Sequence, residues 1–194
     1  GRFVSINPVR TGYAAIADEW VPIRPGTDRT LLLALIHEII RLGLYDRDFL
    51  VQYSNSAELV NLDEKSSEFG MFVRTEVPEE EGCFDPQNKL WWDRVSNKPV
   101  VTHAEGADPF LLGEFNLHDG TPVKPSFQLL QERVKDYTPE WAEGITGIPA
   151  ATIRRLAALD PQVLALMHGS STRTRCGESL RRLADAYDLM AQQR

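Results

Sequence analysis

Two short loops carry the residue types best suited to holding a ligand: Asn7-Pro8-Val9-Arg10-Thr11 and Gly26-Thr27-Asp28. Each follows a run that reads as a strand, so both leave strand carboxyl ends and can reach one ligand. Thr27-Asp28 opens a helical run whose first N–H groups have no partner inside the helix. Gly26 permits close approach of backbone to a ligand, which suits a phosphate or a ribose. The Asp28 carboxylate can accept hydrogen bonds from the N1–H and 2-amino group of a guanine. The competing account is helix capping by Thr27 or Asp28, and on chemistry alone capping is the commoner role for these residues.

Other chemistry-bearing residues point to less. Cys83 and Cys176 lie far apart with no C-x-x-C spacing, so cysteines here assemble neither a zinc site nor an iron–sulfur cluster, and a single disulfide stays open. His37, His103, His118 and His168 show no H-E-x-x-H or other ligand spacing, and no metal-ligating residue is expected within the chain. His168, Ser170 and Ser171 lack the G-x-S-x-G elbow and a placed acid, which removes a serine hydrolase. Trp91-Trp92 can stack a base or sugar, yet paired aromatics beside a hairpin turn more commonly form local core. His37, among apolar helix neighbours, and His118, beside the turn Asp119-Gly120, read as structural.

These loops need a scaffold, and 194 residues with 42% apolar content can bury one sizeable core or two small ones. A net charge of -7 argues against a nucleic-acid partner, which would require a surplus of Lys and Arg on one face. The longest apolar run, Leu31 to Ile36, is far short of the roughly 20 residues of a membrane span. The start, Gly1-Arg2-Phe3-Val4-Ser5, carries no initiator Met and no apolar signal region and enters strand-like sequence at once, so it reads as a cut edge. A soluble protein is expected, cytoplasmic or periplasmic.

Along the chain, Phe3–Ile6 and Glu19–Ile23 read as short strands around an alanine-rich segment at 13–18. A helix from Arg29 to about Leu42 places Leu32, Leu35, Ile36, Ile39 and Ile40 at helical spacing and stops at Gly43. Tyr45–Phe49 begins another helix that reaches about Tyr53 and is capped by an Asp. From 62 to 125 Pro, Gly and Asn recur, Glu79-Glu80-Glu81 forms a solvated loop, and Leu90–Asp93 pairs with Asn97–Val101 in a β-hairpin-rich insertion. Helices return at 126–135, with Phe127, Leu130 and Val134 on one face, after the N-cap Thr138 with Pro139 at the first helical position, and at 150–159. Gln162–Met167 reads as a buried strand and 178–192 as a closing helix. The expected class is α/β: three-layer parallel-sheet, Rossmann-like elements with the hairpin-rich insertion. It divides into a dinucleotide-binding segment at 1–61, the insertion at 62–125, and a second α/β segment at 126–194 packing on the cofactor domain.

Asn7-Pro8-Val9-Arg10-Thr11, then Ala17-Asp18, then Ile23-Arg24-Pro25-Gly26-Thr27-Asp28 before an apolar helix, resembles the D-P-R-x-T…A-D…I-R-P-G-T-D pattern of the molybdopterin oxidoreductase superfamily. Leu44-Tyr45-Asp46-Arg47-Asp48-Phe49 is similar to its L-Y-D-x-x-F. Tyr137-Thr138-Pro139-Glu140-Trp141-Ala142 and Ile145-Thr146-Gly147-Ile148-Pro149 are similar to Y-T-P-E-W-A…I-T-G-I-P. The resemblance implies that Asn7, Pro8, Val9, Arg10 and Thr11, with Gly26, Thr27 and Asp28, bind the guanosine part of a molybdopterin guanine dinucleotide carrying molybdenum or tungsten. Asn7 stands where the family often has Asp, and Asn can still hydrogen-bond a ribose hydroxyl or a base.

Further on, His168 to Glu178 resembles the family's loop with Q-R-x-x-x-G-E, as in dimethyl sulfoxide and trimethylamine N-oxide reductases. That implies Gly169 and Arg173 near the pterin, Arg173 with charge-assisted hydrogen bonds; a basic helix-entry loop is the competing account. The resemblance places the metal's protein ligand and any iron–sulfur cluster outside this chain, so no catalytic residue is expected within it. It implies an internal piece of a catalytic subunit doing two-electron redox or oxygen-atom transfer, partnered by electron-transfer subunits and by the rest of its own subunit. The alternative is a non-catalytic scaffold or subunit-interface domain that keeps the fold without binding cofactor.

Overall fold

In the computed structural model, residues 2–75 and 88–159 are described, and they mix helices with short strands. They fall into two compact units, one formed from 2–35 with 142–159 and the other from 36–75 with 88–141. The expected strand at 162–167, closing helix at 178–192 and acidic triplet at 79–81 lie outside the described residues.

In the first unit, β1 (Val4–Ile6) pairs in parallel with β2 (Glu19–Val21) in the register Val4↔Glu19, Ser5↔Trp20, Ile6↔Val21. Parallel neighbours need a crossover of about a dozen residues, and residues 7–18 supply it with one turn of helix, α1 (Tyr13–Ile16). Asp18 closes this crossover, its Oδ2 accepting the Phe3 N–H at 2.7 Å. Strand β2 is shorter than expected because Pro22, lacking an N–H, follows Val21. The unit also holds α6 (Ala150–Ala157), which buries Ala150, Ile153 and Ala157 and ends two residues before the expected stop.

Helix α2 (Asp28–Leu42) terminates as its sequence predicts. Gly43, at φ 66°, donates to the Ile40 carbonyl at 3.1 Å and Leu44 donates to that of Ile39 at 2.9 Å, a Schellman stop that an L-residue would strain. Its buried face differs from the expected one. Leu31, Ala34, Glu38 and Ile40 are buried, whereas Leu32 is 57% exposed. Apolar spacing alone cannot show that a charged Glu38 belongs inside. Burial there is sustained by Arg41, whose Nε and Nη2 donate to the two carboxylate oxygens at 3.0 and 2.8 Å. His37 is structural, its Nδ1 lying 2.9 Å from the Val134 carbonyl.

The second unit is antiparallel. Strands β3 (Leu59–Asn61), β6 (Phe115–Asn116) and β7 (Pro122–Pro125) form a sheet of order β3-β7-β6. The expected hairpin is β4 (Leu90–Asp93) against β5 (Lys98–Val101). Helix α3 (Arg47–Tyr53) starts on the anticipated cap, Asp46 Oδ1 accepting the Phe49 N–H at 2.9 Å. Trp92 settles the question of the tryptophan pair. It packs with Leu59, Leu90 and Val123 and stacks on Phe115 with ring centroids 4.6 Å apart, so it is core. Helix α4 (Ser126–Val134) buries Phe127 and Val134 but leaves Leu130 39% exposed, contrary to the shared face expected. Helix α5 (Pro139–Thr146) follows the predicted cap, Thr138 Oγ1 accepting the Trp141 N–H at 3.2 Å.

Candidate cofactor-binding site

Because β1 and β2 run in parallel, the chain leaves both at the same end, and the two loops singled out in the sequence emerge there together. The Asn7 N–H donates to the Val21 carbonyl at 3.2 Å, extending the ladder by one rung. Asn7 Oδ1 accepts the Val9 N–H at 3.0 Å, a side-chain turn that Asp would make equally well. With Oδ1 so engaged, the exposed Asn7 keeps its Nδ2 donors as the remaining polar group of the amide. The Asn7 carbonyl accepts the Trp20 indole N–H at 2.8 Å, so a β2 side chain braces the first loop. Gly12, at φ 55°, turns the chain into α1. Pro8, Val9, Arg10 and Thr11 are exposed between these anchors.

The second loop is a tight turn centred on Pro25-Gly26. Gly26 takes φ 76°, and the Thr27 N–H returns to the Arg24 carbonyl at 3.3 Å, the arrangement of a type II turn. Nothing lies within 4 Å of the Cβ that Gly26 lacks, so backbone conformation rather than crowding calls for glycine here. The Thr27 carbonyl accepts from the Thr30 and Leu31 N–H groups, which makes Thr27 the cap residue by position. Its hydroxyl does not cap: Oγ1 donates backward to the Arg24 carbonyl at 2.7 Å. Asp28 is exposed, and among the described residues its carboxylate meets neither a hydrogen-bond donor nor a cation. The Thr27 hydroxyl is thus turned away from the helix, while Asp28 keeps the first-turn position in which a carboxylate suits the helix N-terminus.

The described structure therefore brings Asn7 through Thr11 and Gly26 through Asp28 to one end of the parallel pair, while Gly169 and Arg173 lie outside the described residues. Two residues that brace these loops, Trp20 and Arg24, were missed by reasoning from sequence. A signal for Arg24 was available in its place inside the I-R-P-G-T-D run; Trp20 lies between two quoted motifs and carried none. Chemically, the end of the pair offers N–H donors at the start of α2, the Arg10 guanidinium and one acceptor carboxylate, a set matched to a phosphorylated base-bearing ligand.

No family model matches the chain. A sulfite dehydrogenase subunit from Allochromatium vinosum is 66% identical over 157 residues, covering 81% of this chain and 16% of that protein. A putative dimethyl sulfoxide reductase catalytic subunit from Halobacterium salinarum is 33% identical over 80% of the chain and 18% of its own length. The molybdopterin-containing subunit of the arsenate respiratory reductase of Chrysiogenes arsenatis is 28% identical over 81% of the chain and 13% of its own length. The chain belongs to the molybdopterin oxidoreductase superfamily. It corresponds to less than a fifth of the length of these superfamily relatives. Acetylene hydratase from Pelobacter acetylenicus is a structural match at 23% identity and a TM-score of 0.40, over 79% of this chain and 12% of that one. Among the described residues no helix is long and apolar enough to cross a membrane.

Proposed function

We propose that this chain supplies the guanosine-binding part of a molybdopterin guanine dinucleotide site in the catalytic subunit of a molybdenum or tungsten oxidoreductase. The observation that carries the reading is the parallel β1–β2 pair, which delivers the Asn7–Thr11 loop and the uncommitted Asp28 carboxylate to one end. The residues present fit the group. Asp28 accepts from the guanine N1–H and 2-amino group, and the Asn7 Nδ2 donates to a ribose or base oxygen. Arg10 and the first N–H groups of α2 face the pyrophosphate charge. When bound, the cofactor supplies the two-electron redox or oxygen-atom chemistry, and the chain's own part is to hold and orient one dinucleotide.

The finer assignments rest on the same footing. The β1–β2 pair is read as the edge of a three-layer, Rossmann-like sheet, with 62–125 as an insertion and 126–194 as a segment packing on the cofactor domain. Gly169 and Arg173 are assigned to the pterin side. Its partners are the rest of the catalytic subunit, together with electron-transfer subunits, the latter supported by the subunit names of the relatives. The 66% identity to a sulfite dehydrogenase subunit favours sulfite as the parent enzyme's substrate over a sulfoxide or N-oxide.

Calorimetric titration of the chain with GDP tests the site. Binding in the micromolar to low millimolar range, about 4 to 8 kcal/mol, is expected for the native chain and is lost in Asp28→Ala. Equal binding by both proteins removes Asp28 from guanine recognition, and no binding by either favours a scaffold role.

A further inference from the structure

We infer that Arg24 is the positioning residue for Asp28, a role that rests on the guanosine-site reading above. Arg24 is held from four directions. Its N–H donates to the Thr146 carbonyl at 2.9 Å, and its Nη1 donates to the Gly144 carbonyl at 2.7 Å and the Ile145 carbonyl at 3.2 Å. Its own carbonyl receives both the N–H and the hydroxyl of Thr27. One residue thus takes up three consecutive carbonyls at the end of α5, which a helix otherwise leaves unpaired, and a guanidinium suits that negative helix end.

Gly147 completes the joint. At φ 77° it closes α5, its N–H donating to the Glu143 carbonyl at 2.9 Å. A Cβ at this position would stand 3.5 Å from Arg24 Nε, so the arginine stem lies flat against the glycine. The I-T-G-I-P run therefore acts as the seat for Arg24. The orientation of that seat passes through the Arg24 carbonyl to the Thr27 turn and so to the first residue of α2. Lysine reproduces this poorly: its ammonium ends one bond short of the Nη1 position from which both carbonyls are reached, and it lacks the planar group that lies against Gly147.

The test compares Arg24→Lys with the native full chain by two measurements. The first is the ratio of GDP to ADP affinity. Because Asp28 reads the guanine edge, its displacement lowers GDP binding about tenfold and leaves ADP binding unchanged, so the preference collapses. A general loosening of the fold would lower both nucleotides together and preserve the ratio, which would overturn the inference. The second measurement is amide hydrogen exchange. The Thr27 N–H is expected to exchange faster in Arg24→Lys, while amides of the β4–β5 hairpin keep the native rate as a control for folding. An unchanged Thr27 rate overturns the inference even if no nucleotide binds. Failure of the native chain to prefer GDP would sink the guanosine reading alone and leave the exchange result to decide the role of Arg24.

Discussion

The end of the β1–β2 pair and the core around Trp92 are built on opposite principles. Around Trp92 the side chains complete one another: the indole stacks on Phe115, and its Nε1–H donates to Asn97 Oδ1 at 3.0 Å. Asp93 accepts from Ser96 and Asp108. At the β1–β2 end, backbone and bracing side chains are tied down while the outward groups, Arg10 and Asp28 among them, are left without partners among the described residues. A region that satisfies itself can only be stable. A region whose frame is satisfied and whose tips are not is prepared to meet something else.

The largest effect expected is on the self-satisfied side. Trp92→Ala removes a buried ring and its stacking, at a cost of about 3 to 5 kcal/mol, read as a large drop in the urea midpoint. Preservation of that midpoint would show the aromatic cluster to be peripheral. Gly26→Ala acts on the other side through backbone conformation alone and costs about 1 kcal/mol, with a proportionally larger loss of GDP binding if the turn orients Asp28. Unaltered stability and unaltered binding together would mean the turn tolerates a second conformation.

Asp93 gives the smallest effect, read in the pH dependence of stability. Hydrogen bonds from the Ser96 hydroxyl and N–H, then from the Asp108 N–H, hold its carboxyl well below the usual carboxylate range. With the folded-state value lowered, the unfolded chain binds the proton more readily. The contribution is therefore complete above about pH 4 and is lost as pH falls further. Asp93→Asn should flatten the acid limb of a stability-against-pH curve measured by urea melts. An acid limb identical in the two proteins would assign that slope to other carboxylates.

Much of this contrast was legible in the residues, and the misses share a cause. Gly43, Asp46 and Thr138 announce helix ends because their roles depend on neighbours one to five positions away. The hairpin of Leu90–Asp93 with Lys98–Val101 is local in the same sense. Strands β3 and β7 escaped notice because their pairing, Leu59↔Pro125 to Asn61↔Val123, joins segments more than sixty residues apart, and each is only three or four residues long. Leu32 was expected on the buried face and is exposed, while Glu38 is buried, since an Arg41 fork makes a buried carboxylate tolerable and hydrophobic spacing carries no sign of it. At the candidate site the loops themselves were visible, whereas their bracing by Trp20 and Arg24 depends on partners brought in by the fold.

The bond between Arg24 and the end of α5 spans 120 positions in the chain. During synthesis at about 5 to 20 residues per second, the first thirty-five residues would emerge roughly 6 to 24 seconds before their seat exists. The intervening unit, 36–141, has its own core and can form in that interval. Ribosome timing thus favours an order in which the self-satisfied region matures first and the loops that follow β1 and β2 are locked last.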